Sequence, residues 1–237
     1  MRYGLALSLL LLSLSPTAAQ AQSAPIDLEA FKGAKIFYRP GFAFLGTGEL
    51  NQSLEYAGFS PYSPTFISHS GSAHLLLDQI LIGASGTGLS GFRSAASSGQ
   101  TVSVNGGYGV FQLGYQIVKE NGFSLYPILG IGSGSTQISS SEPLNGLFGL
   151  TGSQNVYQMQ SSQVVLDLGL GADYLVNFSA HPDWDAGLLV GLRLGYLLVP
   201  SPPQWQSGPR LLSGNLPGLN NQGFYVNLSL GLGAQRN

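Results

Sequence analysis

Between Val164 and Phe178 the even positions are all apolar or aromatic: Val164, Leu166, Leu168, Leu170, Ala172, Tyr174, Val176 and Phe178. The odd positions of the same stretch include Asp167, Gly169, Gly171, Asp173 and Asn177. A period of two is the signature of a β-strand, whose successive side chains point to opposite faces. The pattern returns from Gly187 to Leu198, where Leu188, Val190, Leu192, Leu194, Tyr196 and Leu198 alternate with residues that include Gly187, Gly191, Arg193 and Gly195. It returns again after Gly223, with Phe224, Val226, Leu228, Leu230 and Leu232 set against Tyr225, Asn227, Ser229, Gly231 and Gly233. Noisier versions run from Phe111 to Ile117, from Phe123 to Ile131 and from Ile36 to Phe44.

Counted back from the C-terminus, the alternation predicts strands near 223–234, 186–199, 161–178, 123–138 and 101–118. A sixth is expected near 74–90, with a slip of facing around Gly83 of the kind a bulge causes. Between Ala34 and Ser72 an eight-stranded sheet needs two more strands. There, however, residues 49–57 read as a short helix, and Pro61 and Pro64 interrupt the stretch beyond it. Eight strands is the minimum that keeps the parity of an up-and-down sheet, and ten also satisfies it. Short turns at 119–122 and 179–185 alternate with long polar connections at 139–162 and 200–222, the asymmetry expected of a transmembrane β-barrel.

Alternation alone fits a soluble sandwich as well, so the second face has to decide. A sandwich needs Lys, Glu, Thr and Arg on its outer face, whereas here the non-apolar face is mostly glycine with isolated Asp, Asn, Gln and Arg. Such a face suits the narrow interior of a small barrel, with the apolar face turned to lipid. Composition strengthens the choice. Charged residues make up only 8% of the chain, against about 25% for an ordinary soluble domain. There are 34 glycines but only 9 lysines and arginines, too few charges to build a solvated surface. The expected fold is therefore an all-β, antiparallel up-and-down transmembrane β-barrel of eight strands, with a soluble exported sandwich as its rival.

The N-terminus carries a targeting pattern. Arg2 is followed by a short apolar core from Leu5 to Leu14 and by Ala19-Gln20-Ala21, an A-x-A cleavage site. The apolar stretch is about half of the roughly 20 residues that a membrane-spanning helix needs. The expected organisation is a signal peptide over 1–21 and one barrel domain over 22–237. A net charge of −2, with no run of like charges, argues against nucleic acid as a partner. The lack of cysteine removes disulfides, thiolate chemistry and Cys-ligated zinc.

The polar residues offer few sites. Asp167, Asp173 and Arg193 share the expected lumen face of two strands joined by a short turn, and a hairpin centred near residue 183 sets Asp173 and Arg193 nearly opposite. Charges in a narrow lumen need partners, so the three are expected to brace the barrel; the alternative is that they line a pore. His69 and His74 flank Ser70 and Ser72, which raises a lipid hydrolase, but Asp78 is the sole nearby acid and no G-x-S-x-G elbow is present. His181 has less claim. The histidines lack H-x-x-x-H spacing, and Asp183 with Asp185 is not a calcium loop, so no metal and no cofactor is expected. Tyr38, Tyr115, Tyr126, Tyr174, Trp184 and Tyr196 are expected in the interfacial aromatic girdles, with Trp184 at the turn-side rim and Trp205 in a long loop.

The block GGYGVFQLGYQIVKENGFSLYPILGIGSG from Gly106 to Gly134, the strand LDLGLGADYLV from Leu166 and the ending GFYVNLSLGLG from Gly223 resemble the small outer-membrane β-barrels of the OmpA-like and porin-like superfamily. The resemblance implies residence in the outer membrane of a diderm bacterium, contact with its lipid and lipopolysaccharide, and insertion by the barrel-assembly machinery. Such families usually end on an aromatic residue; this chain ends Gly233-Ala234-Gln235-Arg236-Asn237. The implied function is a structural or interaction role through the long loops, whose ligand the sequence does not name. The alternatives are a small porin-like channel and a lipid-modifying enzyme.

Overall fold

The computed structural model describes residues 31–96, 99–144, 148–150, 155–179, 182–213 and 216–236. The expected signal peptide and His181 lie outside them. In chain order the elements are β1 (Phe31–Leu45), α1 (Gly48–Tyr56), β2 (Thr65–Leu77), β3 (Ile80–Ala95), β4 (Thr101–Tyr115), the short β5 (Val118–Glu120) and β6 (Phe123–Ser140). They continue with β7 (Gln158–Asn177), β8 (Trp184–Leu198), the short β9 (Gln204–Ser207) and β10 (Arg210–Leu211), and β11 (Gly223–Arg236).

Eight long strands, β1, β2, β3, β4, β6, β7, β8 and β11, pair antiparallel with their neighbours, and β11 returns to β1. The sheet therefore closes on itself, and the ring has no unpaired edge. Paired residues lead from Lys35 through His74, Gly83, Gln112, Gly130, Asp167, Leu197 and Gly223 back to Leu45. Closure ten residues further along β1 tilts the strands by roughly 40°, the usual range for such barrels.

One expected strand is two. The stretch 74–90 holds the end of β2 and most of β3, joined by a two-residue turn at Asp78-Gln79, with Asp78 at φ 50°. The slip of facing comes from that turn: Leu77 pairs Ile80, so odd positions point outward before it and even positions after it. The strands of the weakly patterned region are β1 and β2, with α1 between them. Leu50 and Leu54, one helical turn apart, are its buried residues.

The short connections lie at one end of the barrel, with both ends of the ring. Asn121 (φ 48°) and Gly122 (φ 83°) close the β5–β6 turn. Two successive positive φ values define the type I′ hairpin turn, which Asn-Gly adopts with least strain. Gly122→Ala places a side chain in the left-handed region and is expected to cost about 1 kcal/mol, read as a lowered urea midpoint of the detergent-folded protein.

At the other end the long connections fold over the mouth. Leu50 and Leu54 of α1, Phe59, Tyr62, Leu144, Phe148, Trp205 and Leu219 join Val102, Val104, Ile138, Met159 and Val165 of the barrel wall in one apolar cluster. Asn51 clasps the backbone of Tyr62: its Nδ2 donates to the carbonyl (3.1 Å), and its Oδ1 accepts from the N–H (2.6 Å). The Tyr62 hydroxyl accepts from the Val104 N–H at 3.0 Å and donates to its carbonyl at 3.3 Å. Burial pushes that phenol's pKa up, so it stays a donor at any physiological pH. The Glu49 carboxylate accepts from the Gly218 N–H (2.7 Å), tying α1 to the last loop.

Candidate functional site

Below this apolar cap the lumen is polar, and β1, β7 and β8 supply its charges. Lys35, Arg39, Asp167, Asp173 and Arg193 are each less than 5% exposed. Parity places them inside: odd residues of β1, β7 and β8 face inward along most of each strand. Arg193 Nη2 donates to Asp167 Oδ2 at 2.7 Å, and its Nε donates to the Tyr225 hydroxyl at 3.0 Å. That hydroxyl donates to Asp167 Oδ1 at 2.7 Å, and Gln112 Nε2 donates to Oδ2 at 3.0 Å. Asp167 thus accepts three hydrogen bonds and one full counter-charge, as a buried carboxylate requires.

A second pair lies nearer the turn end. Lys35 Nζ donates to Asp173 Oδ1 at 2.9 Å and to Ser124 Oγ at 3.2 Å, and it lies 5.3 Å from the centre of the Tyr126 ring. Gln116 Nε2 also donates to Ser124 Oγ, at 2.7 Å. The expected pairing of Asp173 with Arg193 is therefore replaced. Register sets Asp173 opposite Gly191 and Gly171 opposite Arg193, and the long Arg193 side chain reaches along β7 to Asp167. Lys35 and Arg39, on the non-apolar side of the β1 alternation, were not among the residues expected in the ionic cluster. Their odd parity in β1, opposite to Ile36, Tyr38, Phe42 and Phe44, was the available signal.

The outer face is the inverse of the lumen. Ile36, Phe42, Phe44, Phe111, Leu113, Leu129, Ile131, Leu168, Leu170, Leu188, Leu192, Leu230 and Leu232 are all exposed. They lie on six of the eight ring strands, an apolar area far larger than a soluble monomer leaves uncovered. A closed ring with a polar, charge-paired interior and an apolar exterior excludes the sandwich. The fold is that of a small outer-membrane β-barrel.

Comparison with solved structures finds chains of low identity that cover most of this one. Neisserial surface protein A is 15% identical, with 86% of this chain and 96% of that chain covered and a TM-score of 0.39. Ail, the attachment invasion locus protein of Yersinia pestis, is 12% identical in its complex with a heparin analogue, with 87% and 98% covered and a TM-score of 0.39. The outer-membrane protease OmpT of Escherichia coli is 9% identical, with 87% and 97% covered and a TM-score of 0.31. No family model matches the sequence, and no curated protein matches it.

The aromatic residues divide around the barrel. Tyr115 and Tyr174 are exposed near the turn end, and Tyr196 is exposed close to the loop end of β8. Trp184 is half-buried at the turn-end start of β8, its ring 6.2 Å from that of Phe31. Tyr38 stands midway along β1, where its hydroxyl meets His69 Nδ1 at 2.7 Å, so it belongs to the middle of the wall and not to a girdle. Tyr126 is a correction. It is 2% exposed and faces the lumen, because it shares even parity in β6 with Ser124 and Gly130, opposite to Phe123, Leu129 and Ile131. Trp205 does lie in a long connection but is buried under the cap.

The histidines are not brought together. His69 is exposed on the outer face, while His74 is buried inside with its Nε2 2.9 Å from Gln112 Oε1. Asp78 sits in a turn 3.7 Å from Lys32. Among the described residues no group of three or more His, Cys, Asp or Glu is placed to hold a metal ion. Glycine takes both faces. Gly191 and Gly171 face inward, but Gly71, Gly86, Gly88 and Gly109 face outward on β2, β3 and β4, leaving that wall with few side chains above Phe111.

Proposed function

We propose that this protein is a closed, non-conducting barrel of a diderm outer membrane that acts through its cap. The observation that carries the reading is a lumen with buried ion pairs in its polar part and an apolar cluster at its mouth. The Lys35–Asp173 and Arg193–Asp167 pairs lie buried in its polar part, and the cluster around Leu50, Leu54, Phe148 and Trp205 packs at its mouth. An eight-stranded ring is narrow enough for side chains to fill. The signal peptide expected over 1–21 and the alternation of short and long connections give the export route and the orientation, with the cap on the cell surface. Tyr56, Tyr157 and Leu211 are exposed on the connections of that cap and supply an apolar contact surface for a macromolecular partner. The positions of His69 on the outer face, His74 in the lumen and Asp78 in a turn do not support a hydrolase built from these three.

The test is electrical. Purified, refolded barrel added to planar lipid bilayers is expected to give no single-channel steps. Discrete steps whose size changes in Arg193→Met would establish the porin-like alternative instead. Fractionation locates the protein: the folded chain is expected in the outer-membrane fraction, migrating differently in unheated and boiled gel samples.

A further inference from the structure

The charges buried in the lumen do not balance. Among the described residues, Lys35, Arg39 and Arg193 are buried cations, and Asp167 and Asp173 are the buried carboxylates. Lys35 pairs Asp173, and Arg193 pairs Asp167. Arg39, only 1% exposed, is left with neutral acceptors: its Nε donates to Ser229 Oγ at 3.0 Å and its Nη1 to Ser72 Oγ at 2.6 Å. The Phe37 ring, 4.3 Å from its guanidinium carbon, offers a partial attraction and no counter-charge.

Both arginines also keep a free donor: Arg39 Nη2 and Arg193 Nη1 are buried without a partner. The two side chains flank the same strand at neighbouring inward positions. Arg39 reaches Ser229 of β11 from one side, and Arg193 is the register partner of Asn227 of β11 on the other. A buried cation without a counter-charge of its own is costly.

We propose that the lumen holds one small monovalent inorganic anion, of chloride size, between Arg39 and Arg193. The anion accepts from Arg39 Nη2 and Arg193 Nη1 and cancels the excess charge; a water molecule would satisfy the donors but leave that charge. The other unpartnered polar atoms nearby stay outside the site. Gln112 Nε2 donates to Asp167, so its Oε1 accepts from His74 Nε2–H, which leaves His74 Nδ1 as a lone pair. Asp173 Oδ2 is likewise an acceptor, and both fit water.

The inference rests on the closed lumen proposed above, and its test is independent of conduction. The full barrel is refolded in detergent and crystallised from sodium bromide, and urea midpoints are compared in chloride, bromide and gluconate at equal ionic strength, which holds screening constant. Gluconate, a large organic anion, serves as the control for a site of chloride size. One anomalous bromide peak between Arg39 and Arg193 is expected, with a higher midpoint in either halide than in gluconate. The halide difference is expected to vanish in Arg39→Met. No bromide at that position, or a halide difference that persists in Arg39→Met, overturns the proposal. If Arg39→Met fails to fold, the bromide map of the unaltered protein still decides. A conducting barrel with bromide at the arginines would overturn the closed reading and keep the anion site; a silent barrel without bromide would do the reverse.

Discussion

Arg193→Met is expected to lower the stability of the barrel by about 3–5 kcal/mol, the loss typical of removing one partner from a buried ion pair. Methionine replaces most of the aliphatic volume, so packing loss is small and the effect isolates the charge. Asp167, 1% exposed, keeps only Gln112 and the Tyr225 hydroxyl as donors, and neither carries a charge. The double variant Arg193→Met/Asp167→Asn removes the stranded carboxylate while keeping an acceptor for Gln112 or Tyr225. It is expected to recover more than half of the loss. Urea titration in detergent, with the unheated gel band as the folded fraction, measures all three proteins. Equal losses in the single and double variants would mean that the pair is not energetically coupled, and bracing by the lumen charges would have to be abandoned.

The same residues mark how far the sequence could be read. Parity over 164–178 and 187–198 was nearly perfect because the outward positions there are uniformly apolar, and a one-residue slip would reverse every side chain. It therefore exposed Asp167, Asp173 and Arg193 as lumen residues. Pair identity was not legible, since arginine reaches past its register partner and lysine competes from β1, a strand far away in sequence. The 74–90 stretch misled for a different reason: a two-residue turn reverses parity just as a bulge does, and Asp78-Gln79 lacks the glycine that announces a hairpin. Tyr126 misled because residue type outweighed position. A tyrosine beside Pro127 resembles a girdle residue, yet its place in the alternation put it with Ser124. Of the cap only the short helix was legible, for the apolar residues of its other connections follow no period and converge only in three dimensions.

Trp205→Ala tests whether that cap is a separate cooperative unit. Trp205 is 2% exposed, its Nε1 donates to the Pro217 carbonyl at 2.8 Å, and it is the central residue of the short pairing between β9 and β7. Truncating such a side chain costs about 3–5 kcal/mol when it is fully packed. None of the eight ring pairings depends on it, so the loss is expected to stay local. The open population of the 199–222 connection should rise roughly 10²- to 10⁴-fold, read as faster proteolytic cleavage there while heat-modifiable migration is retained. Unchanged cleavage would show that the cap is held elsewhere, and lost heat-modifiability would show that cap and ring fold as one. The variant also separates the two seals. With the cap loosened, the ion pairs of Lys35 and Arg193 still fill the polar lumen, so the barrel is expected to remain silent in planar bilayers. Current through Trp205→Ala would transfer the closure from the buried charges to the cap, and the loop surface would then act as a lid over a pore.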